Sequence, residues 1–444
     1  MECVYSHCGG ARTILFGIGT LQSLKNPTII LFTVALLLLY VRLIYAEPTT
    51  INPKFVVERI FTGNFKPSTM AFLGADDIIV LDRDLGKVYR IIDGVQSKSL
   101  LDVNVATVGY RGLLGVAVSA NEKNIPNVFL YYTQAHKRDS EDESLSNSAA
   151  PLGNRVYRYD LVNNRLENPK LLLDLPAMPG PRHMGGIIAI GPDDNLYVSV
   201  GDLDGTFRGK KYDTMAQNYQ NSTIVDGRSG ILRITQDGKP VGNGILGDKP
   251  PLSLYYAYGI RNSFGFDWDP LTGKLWDTEN GPHFGDEINL VQPGFNSGWV
   301  KVQGIWEPNF EQMGKIMHNP NGLNDFNGNG TYNEPKFTWI PTVAPTAMTF
   351  LSSDRYGSEH RNDLIVGDAN TGTIYYFKLN TKRNALQLEG ELKDRIADNL
   401  NELKKVKFAT GFGRITDIKL GPDGLLYVLS TQNGETSIYK IIPG

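Results

Sequence analysis

The chain has 444 residues, 41% of them hydrophobic and 20% charged, which is enough apolar side chain for one large core or several smaller ones. A formal net charge of -3, with no long basic block, argues against nucleic acid as a partner. Both cysteines, Cys3 and Cys8, stand at the amino terminus, so the rest of the chain has no thiol for a disulfide, a zinc site or a nucleophile, while 47 Gly and 24 Pro call for many turns.

In chain order, the first predicted element is a hydrophobic helix. Residues 28 to 41, TIILFTVALLLLYV, form an uncharged run of about 14 residues, and continuing through Arg42 to Ala46 gives about 19. The shorter measure suits a cleaved signal segment ending at Ile44-Tyr45-Ala46, and the longer one suits an uncleaved membrane anchor. Either reading places the remainder outside the cytoplasm, secreted or membrane-anchored. The expected division is a leader over 1–26, the transmembrane anchor or signal segment over 27–46, a linker EPTTINPK over 47–54, and the main body over 55–444.

From Phe55 onward, short β-branched and aromatic runs alternate with turns rich in Gly, Pro and Asp, which predicts an all-β body. A unit of strand, turn, Tyr-bearing strand, turn and third strand recurs six times. The copies begin near Met70, Gly115, Ile187, Phe264, Thr346 and Ile415; the third and sixth share GPDDNLYV and GPDGLLYV. Such recurrence predicts a six-bladed β-propeller, in which each sheet buries both faces against its neighbours. A pair of β-sandwiches is the alternative, but it would not require the motif along the whole body.

Loops of a propeller converge on its central channel, so polar residues flanking the repeats are candidates for one site. His183, in RHMGGIIAIGPDDNLYVSVGD, enters a strand after a loop and could act as a general base; a histidine satisfied by its own turn is the bland counterpart. Arg261 and Asn262, in YGIRNSFGFDWDP, could clamp a carboxylate or carbonyl, or pair with a loop acid. In ENGPHFGDEINL, the Gly281-Pro282 turn and the pair Asp286 and Glu287 offer oxygen ligands of the kind calcium takes, although adjacent side chains on a regular strand point apart. DFNGNGTYNEPK begins like a calcium loop with Asp325, Asn327 and Asn329, yet has Lys336 where the bidentate acid belongs. Sequons occur at Asn221 and Asn329.

Taken in order, RGLLGVAV, RHMGGIIAIGPDDNLYVSVGD, GILRIT, YGIRNSFGFDWDP, TENGPHFGDEINL, NSGW and RITDIKLGPDGLLYVL resemble the glucose/sorbosone dehydrogenase family of soluble-type quinoproteins, across about residues 55 to 444. The resemblance implies a propeller that holds pyrroloquinoline quinone (PQQ) with calcium and passes sugar electrons to an external acceptor. By motif match it implies His183 as the base, and Arg261, Asn262, Arg414 and Tyr110 as cofactor-binding positions. It further implies backbone oxygens of Gly281 and Pro282 on a cofactor-side calcium, and Asp286 and Glu287 on a second, structural calcium. Four positions depart from the pattern: Tyr110 stands for a glutamine, Asn370 for a lysine, Thr416 for a basic residue, and Ser297 for a tyrosine beside the structural calcium. PQQ carries three carboxylates, so Arg111, Arg182 or Arg208 would have to make up the lost charge. The reading is a PQQ- and calcium-dependent dehydrogenase of an aldose or related alcohol; a calcium-dependent lactonase-like hydrolase and a non-catalytic propeller binding a glycan or protein are the alternatives.

Overall fold

The computed structural model describes residues 47–120, 125–136, 151–203, 205–207, 210–212, 217–218, 225–305 and 321–444. The hydrophobic N-terminal segment, Arg208 and the sequon at Asn221 lie outside them. Among the described residues no helix is long and apolar enough to cross a membrane. Apart from short 3-10 turns, the regular structure there is all strand, in a β-propeller arrangement.

Six sheets of four to six strands and one two-stranded hairpin are present among the described residues. The larger sheets are led, in chain order, by Pro67–Gly74, Leu113–Ala120, Ile188–Ile190, Ser263–Trp268, Pro345–Phe350 and Arg414–Leu420. Each recurring unit of the sequence supplies one of these sheets. Contacts between sheets pass from each to the next, and Arg414–Leu420 returns to Pro67–Gly74, so the ring closes.

Among the described residues the core is not one mass: six slabs are each shared by two neighbouring sheets, and a small cluster of Phe284, Ile340 and Ile396 stands apart from them. Along Asp77–Asp82, Ile79 and Leu81 pack with Val116, Val128 and Leu130 of the second sheet. Ile78 and Val80, on the opposite face of the same strand, pack with Tyr427, Leu429 and Ile438 of the last sheet. This is the period-2 alternation of a strand buried on both faces, and it explains why DIIVLD reads as a continuous apolar run. Equivalent slabs join second to third, third to fourth, fourth to fifth and fifth to sixth.

Two devices fix the ring. Phe55–Gly63 pairs antiparallel with Glu435–Pro443, so the first long strand of the body completes the last sheet. Thr49–Thr50, inside the segment read as a linker, pairs with Thr410 and Ala409 of the fifth sheet. Between sheets, the Asp267 carboxylate accepts from the Phe350 amide at 2.8 Å, and the Asp417 carboxylate accepts from the Met70 amide at 3.0 Å and the Thr69 hydroxyl at 2.6 Å.

The twin turns are alike to the level of single bonds. Gly191 donates to the Asn195 carbonyl and Gly421 to the Leu425 carbonyl, both at 2.8 Å. The hydroxyl of Tyr197 meets Asp193 at 3.1 Å and that of Tyr427 meets Asp423 at 2.9 Å. The aspartate in each GPD sequence therefore both caps its turn and holds the tyrosine of the following strand.

Candidate active site

The leading strands of the sheets, with the loops that enter them, surround a cavity of about 680 Å³ at the centre of the ring. That volume is within the range of sites holding a small molecule or cofactor. His183, Arg261, Asn262, Gly281, Pro282, Asp286, Arg414 and Tyr110 all line it, although they come from four different sheets or the loops that enter them. Glu287 does not. His283 is an exposed loop residue.

His183 sits in the loop before Ile188–Ile190 with φ of 56°, a left-handed backbone that costs a non-glycine residue free energy and recurs at functional positions. Its ring Nδ1 is 2.7 Å from Oδ1 of Asp202, whose carboxylate is fully buried. The other oxygen of Asp202 accepts from the Trp299 indole N–H at 2.6 Å. With the Trp299 N–H on its other oxygen, Asp202 can accept from His183 when the imidazole proton is on Nδ1, the tautomer that leaves the Nε2 lone pair open. Gly201 permits this close approach: a Cβ there would lie 2.2 Å from the His183 carbonyl oxygen.

The IRN segment is set by the same region. Arg261 stacks over the Trp299 ring at 5.4 Å, donates from Nη1 to the Asn280 carbonyl at 2.7 Å, and gives its backbone N–H to Glu279 at 2.7 Å. Asn262, which lines the cavity, accepts the Gly185 amide at 3.1 Å on its oxygen, leaving its NH₂ group as a donor.

The acidic pair of ENGPHFGDEINL separates on the regular strand Asp286–Val291, as successive strand residues must. Asp286 accepts the amides of Gly281, Val343 and Ala344 at 2.7 to 2.8 Å, so it clamps the Gly-Pro turn to the fifth sheet. Burial pushes its carboxyl up to about 6, against the pull of those amides. Glu287 faces the other way, toward Gln303 and Asn289, each donating at 3.0 Å, and Ser297. The two carboxylates have separate sets of partners and do not converge on one point.

Around Glu287 lie two more buried acids, which sequence reading did not single out. The Ser297 hydroxyl donates to Glu279 at 2.6 Å, and both oxygens of Asp277 are buried without a hydrogen-bond partner. Burial, reinforced by the charges of Glu287 and Asp277, holds the Glu279 carboxyl well above its ordinary range. Burial likewise pushes Asp277 up to about 7 and Glu287 up to about 8. Among the described residues, no group of three or more His, Cys, Asp or Glu is arranged to hold a metal ion. The loop at Asp325 is a turn closed on itself, Gly330 donating to the Asp325 carbonyl at 2.8 Å and Asn327 to its carboxylate at 3.1 Å.

The charge lining the cavity differs from the sequence expectation. Arg111 is fully buried and donates to the Ala177 carbonyl at 2.7 Å, so it does not reach the cavity. Asn370 is exposed and bonds the Thr342 carbonyl, and Thr416 lines the cavity with its hydroxyl on the Leu429 carbonyl. Arg182 lines the mouth, joined by Lys66 and Arg83 of the first sheet, which sequence reading missed. The cavity thus collects Lys66, Arg83, Arg182, Arg261 and Arg414 against two carboxylates, Asp286 and Asp417, that already accept hydrogen bonds from the scaffold. This donor set suits a ligand with several anionic groups.

A histidine–aspartate pair and several guanidinium groups thus line the central cavity of an all-β ring, and comparison with known proteins gives the family. Residues 65–440 match the family described as Glucose / Sorbosone dehydrogenase, and the chain belongs to that family of enzymes. It is 26% identical over 429 residues to quinoprotein glucose dehydrogenase B of Acinetobacter calcoaceticus, covering 83% of this chain and 84% of the relative. It is 23% identical over 407 residues to the aldose sugar dehydrogenase YliI of Escherichia coli, covering 90% and 95%. The PQQ-bound aldose sugar dehydrogenase from Streptomyces coelicolor superposes with a TM-score of 0.59 at 22% identity, over 89% of this chain and all of that one, which supports the fold.

Proposed function

We propose that this protein is a quinoprotein oxidoreductase that oxidises an aldose or related alcohol with PQQ and calcium. The observation that carries the reading is the His183–Asp202 pair at the edge of a cavity lined by cations. Relatives named as a quinoprotein glucose dehydrogenase and an aldose sugar dehydrogenase support it. We take each of the six larger sheets as one blade, the N-terminal hydrophobic segment as an anchor or signal, and the propeller as lying outside the cytoplasm.

In this reading Nε2 of His183 accepts the proton of the sugar hydroxyl. The Asp202 carboxylate, held by Trp299, keeps the ring in the required tautomer and stabilises the imidazolium that forms. PQQ, when bound, would supply the acceptor for the hydride that leaves the same carbon. Arg261, stacked on Trp299, and Asn262 would hold the carbonyl and carboxylate groups of the cofactor and stabilise negative charge as it develops, and Arg414 would meet a further carboxylate. Tyr110 borders the mouth. The carbonyl oxygens of Gly281 and Pro282, on a turn braced by Asp286, would serve a cofactor-side calcium; Glu287, with Glu279 and Asp277, would offer carboxylate oxygens to a structural one once ionised, although these side chains are not arranged around a common point in this structure. A metal-dependent hydrolase would instead need carboxylates free to bind a metal in the channel, whereas Asp286 and Asp417 are engaged by amides and a hydroxyl.

Reconstitution with PQQ and calcium, followed by dye reduction with a panel of aldoses, tests the proposal. Sugar-dependent turnover that requires PQQ is expected. No turnover with any aldose, with PQQ demonstrably bound, would remove it.

A further inference from the structure

Lys66 and Arg83 stand together at the mouth of the cavity for reasons built into the first sheet. The Arg83 amide donates to the Lys66 carbonyl at 2.7 Å, so the two residues are paired across neighbouring strand ends. Asp84 then accepts from both side chains, from Arg83 Nε at 2.6 Å and from Lys66 Nζ at 2.5 Å. One carboxylate shared by two cations leaves this cluster with a net positive charge. It also shows that both side chains can reach a single carboxylate.

Gly112 is the second part of the device. Its φ of 140° and its contact with Arg83 leave no room for a side chain: a Cβ there would lie 2.5 Å from Arg83 Cγ and 2.5 Å from the Arg83 carbonyl oxygen. The Leu113 amide donates to that same carbonyl at 2.9 Å. Arg83 is therefore laid over the start of Leu113–Ala120, where it lines the cavity. A surface ion pair formed only for solubility would need neither this glycine nor a place on the cavity wall.

The cationic wall is uneven in a way that gives the cluster a role. On the fifth and sixth sheets, Asn370 is directed to the Thr342 carbonyl, Thr416 is neutral, and Arg414 remains. Lys66 and Arg83 enter from the first sheet, which the ring places beside the sixth. We infer that Lys66 and Arg83 form an anion clamp that takes a carboxylate of the cofactor, so that the cationic contacts missing from the fifth and sixth sheets are supplied from the first. The inference rests on the proposed use of PQQ, a tricarboxylate.

The test is a binding measurement that does not depend on turnover. PQQ is titrated into the calcium-loaded full chain, and quenching of tryptophan fluorescence is followed for the wild type, Lys66→Ala, Arg83→Ala and the double variant. Lys98→Ala, which removes one exposed positive charge from the first sheet away from the cavity, is the control. Each single variant is expected to weaken binding about 10-fold and the double variant about 100-fold, with the control unchanged, as charge-assisted contacts of this kind predict. The salt dependence of the dissociation constant should also flatten in the double variant. Wild-type affinity in both single variants and in the double variant would overturn the clamp while leaving the proposed function standing. Absence of PQQ binding by the wild type itself would overturn both.

Discussion

In the proposed mechanism, His183 serves as a base because its contact with Asp202, itself held by the Trp299 N–H, would keep the ring proton on Nδ1. His183→Ala should lower turnover by about 10²- to 10⁴-fold, the usual range for a general base, and Asp202→Asn should also lower it by removing the charge that stabilises the imidazolium. Steady-state kinetics with an unchanged circular dichroism spectrum would check both, and near wild-type turnover in either would count against the assignment. His183 and the IRN pair were legible as cavity residues in the sequence because short ordered motifs flank them. Asp202 was not: a lone aspartate after VSVG looks like any turn acid, and only the folded loop brings it to His183. Lys66 and Arg83 escaped notice for a related reason, since a lysine before Pro67 and an arginine between two aspartates read as solvated turn residues.

At the scale of elements, the recurring unit was visible because each copy has to supply apolar faces to two neighbours. The GPDDNLYV and GPDGLLYV turns share a sequence because they share a set of bonds. What the pattern could not show was pairing over long chain distances. Phe55–Gly63 completes a sheet built from the other end of the body, and Ile396–Ala397 joins the fourth sheet although the fifth lies between in sequence. A two-residue strand such as Ile396–Ala397 carries no periodicity, and the alternation within Phe55–Gly63 does not say which distant strand it joins. The inter-sheet brace at Asp417 makes its own prediction. Asp417→Ala should destabilise the fold by about 1–3 kcal/mol, because the Met70 amide and Thr69 hydroxyl lose their acceptor inside the ring. Chemical denaturation would measure this, and an unchanged midpoint would show the brace to be dispensable.

For the whole molecule, the buried acids of the fourth sheet couple stability to pH. Their carboxyls stay protonated in the folded state at pH values where the unfolded chain has released its protons. Between about pH 4 and about pH 8 the folded state therefore binds more protons, and stability falls as pH rises through the window set by Asp277 at about 7 and Glu287 at about 8. Calorimetry on chelator-treated protein should show a melting temperature that declines across this range, and calcium should restore it at the alkaline end. A flat profile would mean that these acids do not face low-dielectric surroundings. The central claim, that this ring of sheets carries a sugar-oxidising site based on His183, has a more direct test in a single turnover. PQQ-loaded protein is mixed with excess aldose, without dye, and the absorbance of the bound cofactor is followed in wild type and His183→Ala. The account predicts rapid reduction of the cofactor in the wild type, and in the variant a cofactor that is bound but reduced far more slowly. Equal rates in the two proteins, or no reduction in the wild type, would contradict it.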